Sequence, residues 1–394
     1  MMNRRDWLRA SLSLAPALAG SRVWAGEPEG ARLLLVFLRG GYDSLSLLVP
    51  RESRFYREAR PTIALPVPEA GAATDLRLDA DWSLHPALAD TVLPLYRRGQ
   101  ALFLPFAGIH NLSRSHFETQ DAIEMGQAPD GPRNYASGFL NRLAAQIGAG
   151  QPIAFTEQLP LILRGDQPVA TVSVRAPIRP VDARQRELLS AMYRDTPLAR
   201  EVTEGFAVRE QAARDLAGEM AQAGRQAVSA RGFEIEARRV ARLMRDRHAL
   251  GFIDVGGWDT HVGQGAAAGP LATRFEELGR GLAAFAEGMG PVWERTLVVV
   301  LSEFGRTVRE NGNRGTDHGH GTVYWLLGGL ARGGRVAGEQ VRLERQTLFQ
   351  DRDCPVLNEY RAVLGGVVQR LYGLSSARLE RVFPGAVPAD LGLV

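Results

Sequence analysis

Residues 33–44, LLLVFLRGGYDS, run six apolar side chains together and then break at once into a charge, two glycines and an acid. An uninterrupted apolar run of that length reads as a strand covered on both faces, the habit of a mainly parallel sheet. Three further runs share the form: Ala101–Phe106, Gly251–Val255 and Thr296–Leu301. Helical patterns lie between them, over Pro86–Arg98, His116–Met125 and Leu271–Met289. That alternation predicts an α/β fold, a mainly parallel sheet sandwiched between helices. Pro152–Phe155 and Leu161–Leu163 are shorter strand candidates, and the Ala-, Arg- and Glu-rich stretch around 196–248 predicts a helical insertion of two or three amphipathic helices.

Each run ends in polar groups. RGGYDS places Asp43 after the first, and AGIHNLSRSHFETQD places His110, Ser113, Ser115 and His116 after the second. GGWDTH places Asp259 and His261 after the third, and SEFGRT places Glu303 after the fourth. A glycine-rich GTDHGHG then adds Asp317, His318 and His320. Open parallel sheets bind ligands beyond the carboxyl ends of their strands, so these distant segments are expected to meet in one crevice. Carboxylates and imidazoles gathered in this way are divalent-metal chemistry. Asp259 and His261 are two residues apart, as are His318 and His320, so an extended backbone sends each pair to one side.

Plainer roles compete at each position. Asp43 fits a helix cap or a turn equally well, His110 a turn residue and His116 a first-turn helix residue. Ser115 with Glu118 has the spacing of a capping box, yet a helix start also suits a nucleophilic hydroxyl and an anion. Ser115 therefore leads Ser113 and Ser44 as candidate nucleophile. Arg39, Arg114 and Arg306 adjoin these segments and suit either a phosphate or sulfate group or surface ion pairs.

The chain of 394 residues carries a formal charge of +3 and opens MMNRRDWLRASLSLAPALAGSRVWAG. Arg4-Arg5 ahead of a short apolar stretch and a small-residue site at Ala25 read as a twin-arginine signal peptide, residues 1–25. Its removal takes away four arginines and Asp6 and leaves the remainder formally neutral. A clustered basic face for nucleic acid or an anionic membrane is therefore not expected. No later run is long and apolar enough to span a membrane. The lone Cys354 excludes an intramolecular disulfide, so stability must come from an apolar core, and residues 26–394 can supply one large domain or two moderate ones.

The blocks RGGYDSLSLLVP, LHPAL, SRSHFETQD, GGWDTHVGQ and SEFGRTVRENGNRGTDHGHG resemble those of the domain-of-unknown-function 1501 family, over nearly the whole chain after the leader. That family in turn resembles the alkaline phosphatase and sulfatase superfamily. The resemblance implies an alkaline-phosphatase-like domain, export by the twin-arginine machinery to the periplasm or cell exterior, and an anionic ester as substrate. It implies one or two divalent ions, zinc, manganese, calcium or magnesium, held by Asp43, Asp259, His261, Glu303, Asp317, His318 and His320. Ser115, or a water held by the metal, would attack, with His116, Arg114 and Arg306 beside it. Phe304 departs from the pattern, standing where the superfamily has a metal-binding histidine. The expected activity is hydrolysis of phosphate or sulfate esters; the alternative is a non-catalytic binding or assembly protein on the same scaffold.

Overall fold

The computed structural model describes residues 30–66, 76–128, 131–148, 151–173, 191–193, 196, 198–199 and 232–394. The predicted leader and most of the predicted helical insertion lie outside them. In chain order the strands are β1 (Arg32–Leu38), β2 (Leu48–Pro50), β3 (Trp82–Leu84), β4 (Ala101–Gly108), β5 (Ile153–Ala154), β6 (Ala170–Thr171), β7 (Leu250–Val255), β8 (Thr296–Ser302), β9 (Thr322–Leu327), β10 (Arg335–Val336) and β11 (Asn358–Glu359). The helices are α1 (Ser44–Leu47), α2 (Arg54–Ala59), α3 (Val92–Arg97), α4 (His116–Met125), α5 (Phe139–Ile147), α6 (Phe233–Asp246), α7 (Pro270–Met289), α8 (Tyr360–Tyr372) and α9 (Ser376–Val382).

Among the described residues, one nine-stranded sheet runs β10, β4, β9, β8, β1, β7, β5, β6, with β11 also paired to β4. β1 lies in its interior, parallel to β7 on one side and β8 on the other. Strand β9 runs antiparallel to both β4 and β8. The sheet is otherwise parallel. Side chains of β1 alternate between two cores, Leu34, Val36 and Leu38 facing one and Leu33, Leu35 and Phe37 the other. Helices α3, α6 and α7 cover the first core, while α5, α8 and α9 cover the second. Burial on both faces is why these strands read as continuous apolar runs. Among the described residues, no helix is long and apolar enough to cross a membrane.

Two expectations change in detail. Pro86–Arg98 is a short 3-10 turn at Pro86–Leu88 followed by α3. Proline is tolerated only in the first turn of a helix, so the helix restarts just ahead of Pro94. Leu161–Leu163 is a 3-10 turn and not a strand.

The topology builds one crevice. Leu38 is in register with Val255 and with Ser302, so β1, β7 and β8 end side by side. β4 ends at the same edge, because Ala107 near its end pairs with Thr322, the first residue of antiparallel β9. Residues 39–43, 109–116, 256–261, 303–307 and the loop before β9 therefore leave the sheet at one place.

Candidate metal centre

Three side chains come together at that edge. His116, Asp259 and His318 each offer one ligand atom, and those atoms lie within 4.8 Å of one another. His318 Nε2 is 3.2 Å from Asp259 Oδ1, and His116 Nε2 is 3.5 Å from Asp259 Oδ2. His261 adjoins them, its Nε2 2.9 Å from Asp259 Oδ1 and 3.0 Å from His318 Nε2. All four are partly open to solvent.

The far nitrogen of each imidazole is held. His116 Nδ1 bonds Glu303 Oε1 at 2.7 Å, His261 Nδ1 bonds Asp317 Oδ1 at 3.1 Å, and His318 Nδ1 bonds the Arg114 carbonyl at 2.9 Å. Carbonyls and carboxylates only accept, so each Nδ1 carries a proton, and each ring in its neutral form presents a lone pair at Nε2. Four acceptors thus face one another, and His116 Nε2 is buried with no hydrogen-bond partner. Lone pairs at such distances repel unless a cation lies among them, and the Arg306 guanidinium bonds Asp259 Oδ1 and His261 Nε2 but neither His116 nor His318. Bonds of ~2.0–2.1 Å at tetrahedral angles set ligand atoms about 3.3–3.5 Å apart, close to the 3.2 and 3.5 Å from Asp259 to His318 and His116, so the donor set suits a divalent ion in type and those two distances in spacing.

Charge tuning differs among the imidazoles. The Glu303 hydrogen bond raises the His116 imidazole above its ordinary value, so a metal would have to displace a proton there. Burial lowers His318 and so favours its neutral, ligating form. Burial opposes ionisation of Asp259, but the Arg306 guanidinium outweighs it and holds the carboxyl below its usual range. Burial likewise opposes ionisation of Glu303, and hydrogen bonds from His116, Gln120 and the Gly40 N–H reverse the effect. Glu303→Gln is expected to weaken metal binding about 10–100-fold, read by competition with a chelating dye, because the imidazole loses its orienting anion.

The other sequence candidates are placed differently. Asp43 is buried in a two-point ion pair with Arg60, at 2.7 and 2.9 Å, and also accepts from Ser46 and Gln264. None of these donors belongs to the cluster, and the side chain makes no helix-cap bond. Glu303 and Asp317 stand one residue back, each touching an imidazole. His320 is buried against the Phe349 ring, centroids 4.8 Å apart, and burial pushes its imidazole down to about 4. Arg306 is buried and gives its N–H groups to the carbonyls of Gly40, Gly41 and Thr316 and to Asp259, leaving no face for an ester. It positions Asp259 instead. Arg114 is paired with Asp353 at 2.8 Å and with Gln350. The capping box does not form: Ser113, not Ser115, bonds Glu118, and Ser115 makes no cap bond at the start of α4. Arg39 pairs with Glu124 and Asp254.

Sequence reasoning missed Arg60 as the partner of Asp43 and missed the floor of the site. Buried Phe304 packs its ring against His116 and His318, centroids 4.9 and 5.1 Å away. The glycines of RGG make room for this floor. Gly40 has φ +123°, and a Cβ there would lie 2.7 Å from the Asp259 backbone nitrogen. Gly41 has φ +59°, and a Cβ there would collide with the Phe304 ring. Gly41→Ala is expected to cost about 2–4 kcal/mol in denaturant unfolding, from the left-handed backbone and overpacking together.

Asp43 also sets an acid limit. Burial raises its carboxyl, but Arg60, Ser46 and Gln264 more than reverse this, and the group sits below its usual range. A depressed folded value means the contribution is complete above the unfolded aspartate value of ~3.9 and is lost as pH falls through the folded one. Unfolding free energy measured down a pH series should hold for this group above about pH 4 and fall progressively below it, with a shallower fall in Asp43→Asn.

Fold and site together define a mainly parallel α/β protein with a histidine-rich metal-type cluster at its strand ends. The chain belongs to the family of proteins of unknown function DUF1501, whose family model matches residues 30–383. The sequence finds no match among curated proteins. Among solved structures it is similar to a lipoteichoic acid synthase from Listeria monocytogenes, at 8% identity and a TM-score of 0.38, covering 92% of this chain and 76% of that one. It is also similar to a protein in the alkaline phosphatase superfamily from Vibrio parahaemolyticus, at 10% identity and a TM-score of 0.33, covering 77% of this chain and 62% of that one.

Proposed function

We propose that the protein is an exported, metal-dependent hydrolase of phosphate or sulfate esters. The observation that carries this reading is the convergence of His116 Nε2, His318 Nε2 and the Asp259 carboxylate, with His116 Nε2 buried and unpartnered. A divalent ion bound there would supply Lewis-acid stabilisation of the negative charge that grows on a transferring phosphoryl or sulfuryl group. His116, Asp259 and His318 would hold it, with His261 beside them. Glu303, Asp317 and the Arg114 carbonyl fix the imidazole tautomers. Arg306 keeps Asp259 ionised and in place. Ser115 opens α4, where the free backbone N–H groups favour an anion, and its hydroxyl is not spent on capping. Attack by that oxygen would form a bond to phosphorus or sulfur while the ester oxygen leaves and takes up a proton.

The test is a panel of phosphate monoesters, phosphodiesters and sulfate esters with purified protein. Turnover lost on chelation and restored by added metal supports the reading, and no turnover on any ester overturns it. Ser115→Ala separates two routes: a loss of about 10³-fold or more assigns attack to the serine, and an unchanged rate assigns it to water. Export rests on the Arg4-Arg5 leader, and Arg4→Lys with Arg5→Lys should retain the protein in the cytoplasm. A binding role without turnover is favoured by Phe304, an apolar ring set against two of the imidazoles. Exposed Phe117 and Val262, each adjacent to a cluster histidine, would suit an apolar part of a ligand in either case.

A further inference from the structure

The geometry points to a single-ion centre for a borderline transition metal, of the zinc, manganese or iron(II) class, that takes neither calcium, magnesium nor a second ion. The inference deepens the hydrolase reading and rests on its assignment of a metal to these residues.

The donors decide the class of ion. Around Asp259 stand the Nε2 atoms of His318, His261 and His116, so nitrogen outnumbers carboxylate. Calcium is bound by six to eight oxygens and magnesium by an octahedron of oxygens, most of them water or phosphate; imidazole suits zinc, iron and their neighbours. Two histidines and a carboxylate with adjoining open positions form a set used by such ions in reactive sites.

The surroundings decide the number. A second ion needs carboxylate oxygen turned toward it, and the two acids best placed by sequence each already accept four hydrogen bonds. Asp43 is taken by Arg60, Ser46 and Gln264. Glu303 accepts from the Gly40 N–H, Gln120 and His116 on one oxygen and from Ser302 on the other. Phe304 closes the floor beneath His116 and His318 with a ring that offers no donor. The buried Arg306 guanidinium already bonds Asp259 Oδ1 and sits 3.4 Å from His261 Nε2, so a permanent cation occupies the inner side. Among the described residues, no other group of three such side chains lies within reach of one ion.

The full chain, stripped with chelator, is titrated with cobalt(II) while visible absorption and heat are followed. The expected result is one cobalt per chain with ligand-field bands, displaced by one equivalent of zinc and not by a hundredfold excess of calcium or magnesium. His318→Ala should weaken cobalt binding by about 100-fold or more, with circular dichroism confirming that it is folded. The wild-type stoichiometry and selectivity stand even if that variant does not fold. Two cobalt ions per chain, displacement by calcium or magnesium, or no binding would overturn the inference. A singly loaded protein that hydrolyses no ester sinks the hydrolase reading and leaves this one intact; hydrolysis supported by magnesium with no cobalt bound does the reverse.

Discussion

Asp259→Ala is expected to remove tight metal binding and to lower ester hydrolysis by at least about 10³-fold, equivalent to roughly 4 kcal/mol of transition-state stabilisation. The carboxylate is the hub of the cluster: Oδ1 lies within 3.2 Å of both His261 and His318, and Oδ2 is 3.5 Å from His116. Without it, three imidazole lone pairs remain with no anion among them. The fold should survive, since Arg306 keeps its bonds to the carbonyls of Gly40, Gly41 and Thr316. Steady-state rates on a hydrolysed ester, beside a melting curve of the metal-free protein, separate the two effects. A loss of rate matched by a collapse in melting temperature would count against Asp259 as a metal-holding group.

Asp43→Ala should act in the opposite sense, on stability before chemistry, costing about 3–5 kcal/mol. The substitution strands the Arg60 guanidinium, which is fully buried and bonded to both Asp43 oxygens as well as to the carbonyls of Thr307 and Val308. Removing one partner of a buried pair leaves an uncompensated charge, which is the costly case. Ser46 and Gln264 lose an acceptor as well. Asp43→Ala with Arg60→Met should recover much of the loss, because both charges are then gone. Chemical denaturation of the three proteins measures this, and a double variant no better than the single one would show that the pair is not the source.

Strand identity was legible because burial on both faces writes itself as a continuous apolar run, as in Leu33–Leu38 and Thr296–Leu301. Strand β9 was not singled out, although TVYWLL carries the same β-branched and aromatic signal directly after GTDHGHG. Its antiparallel course was beyond reach, since direction is fixed by pairing with β4 and β8 and not by its own composition. In the site, the DTH and DHGH clusters brought Asp259, His261 and His318 to notice through spacing alone. The division of labour among them was not visible. Glu303 and Asp43 are both acids after a buried strand, yet one braces an imidazole and the other an arginine 17 residues along the chain. Sequence gives the acceptor; only packing shows which donor has already claimed it. His116 is the converse case, a residue equally suited to an ordinary helix start until its Nε2 is found buried without a partner.

The central claim, that this cluster works as a metal-dependent ester hydrolase, is tested most directly by adding zinc or manganese back in measured amounts to chelator-stripped protein and following hydrolysis of the ester panel. The predicted rate rises from near zero and levels at one ion per chain. A stripped protein as active as the loaded one, or no turnover of any ester at full loading, would contradict it.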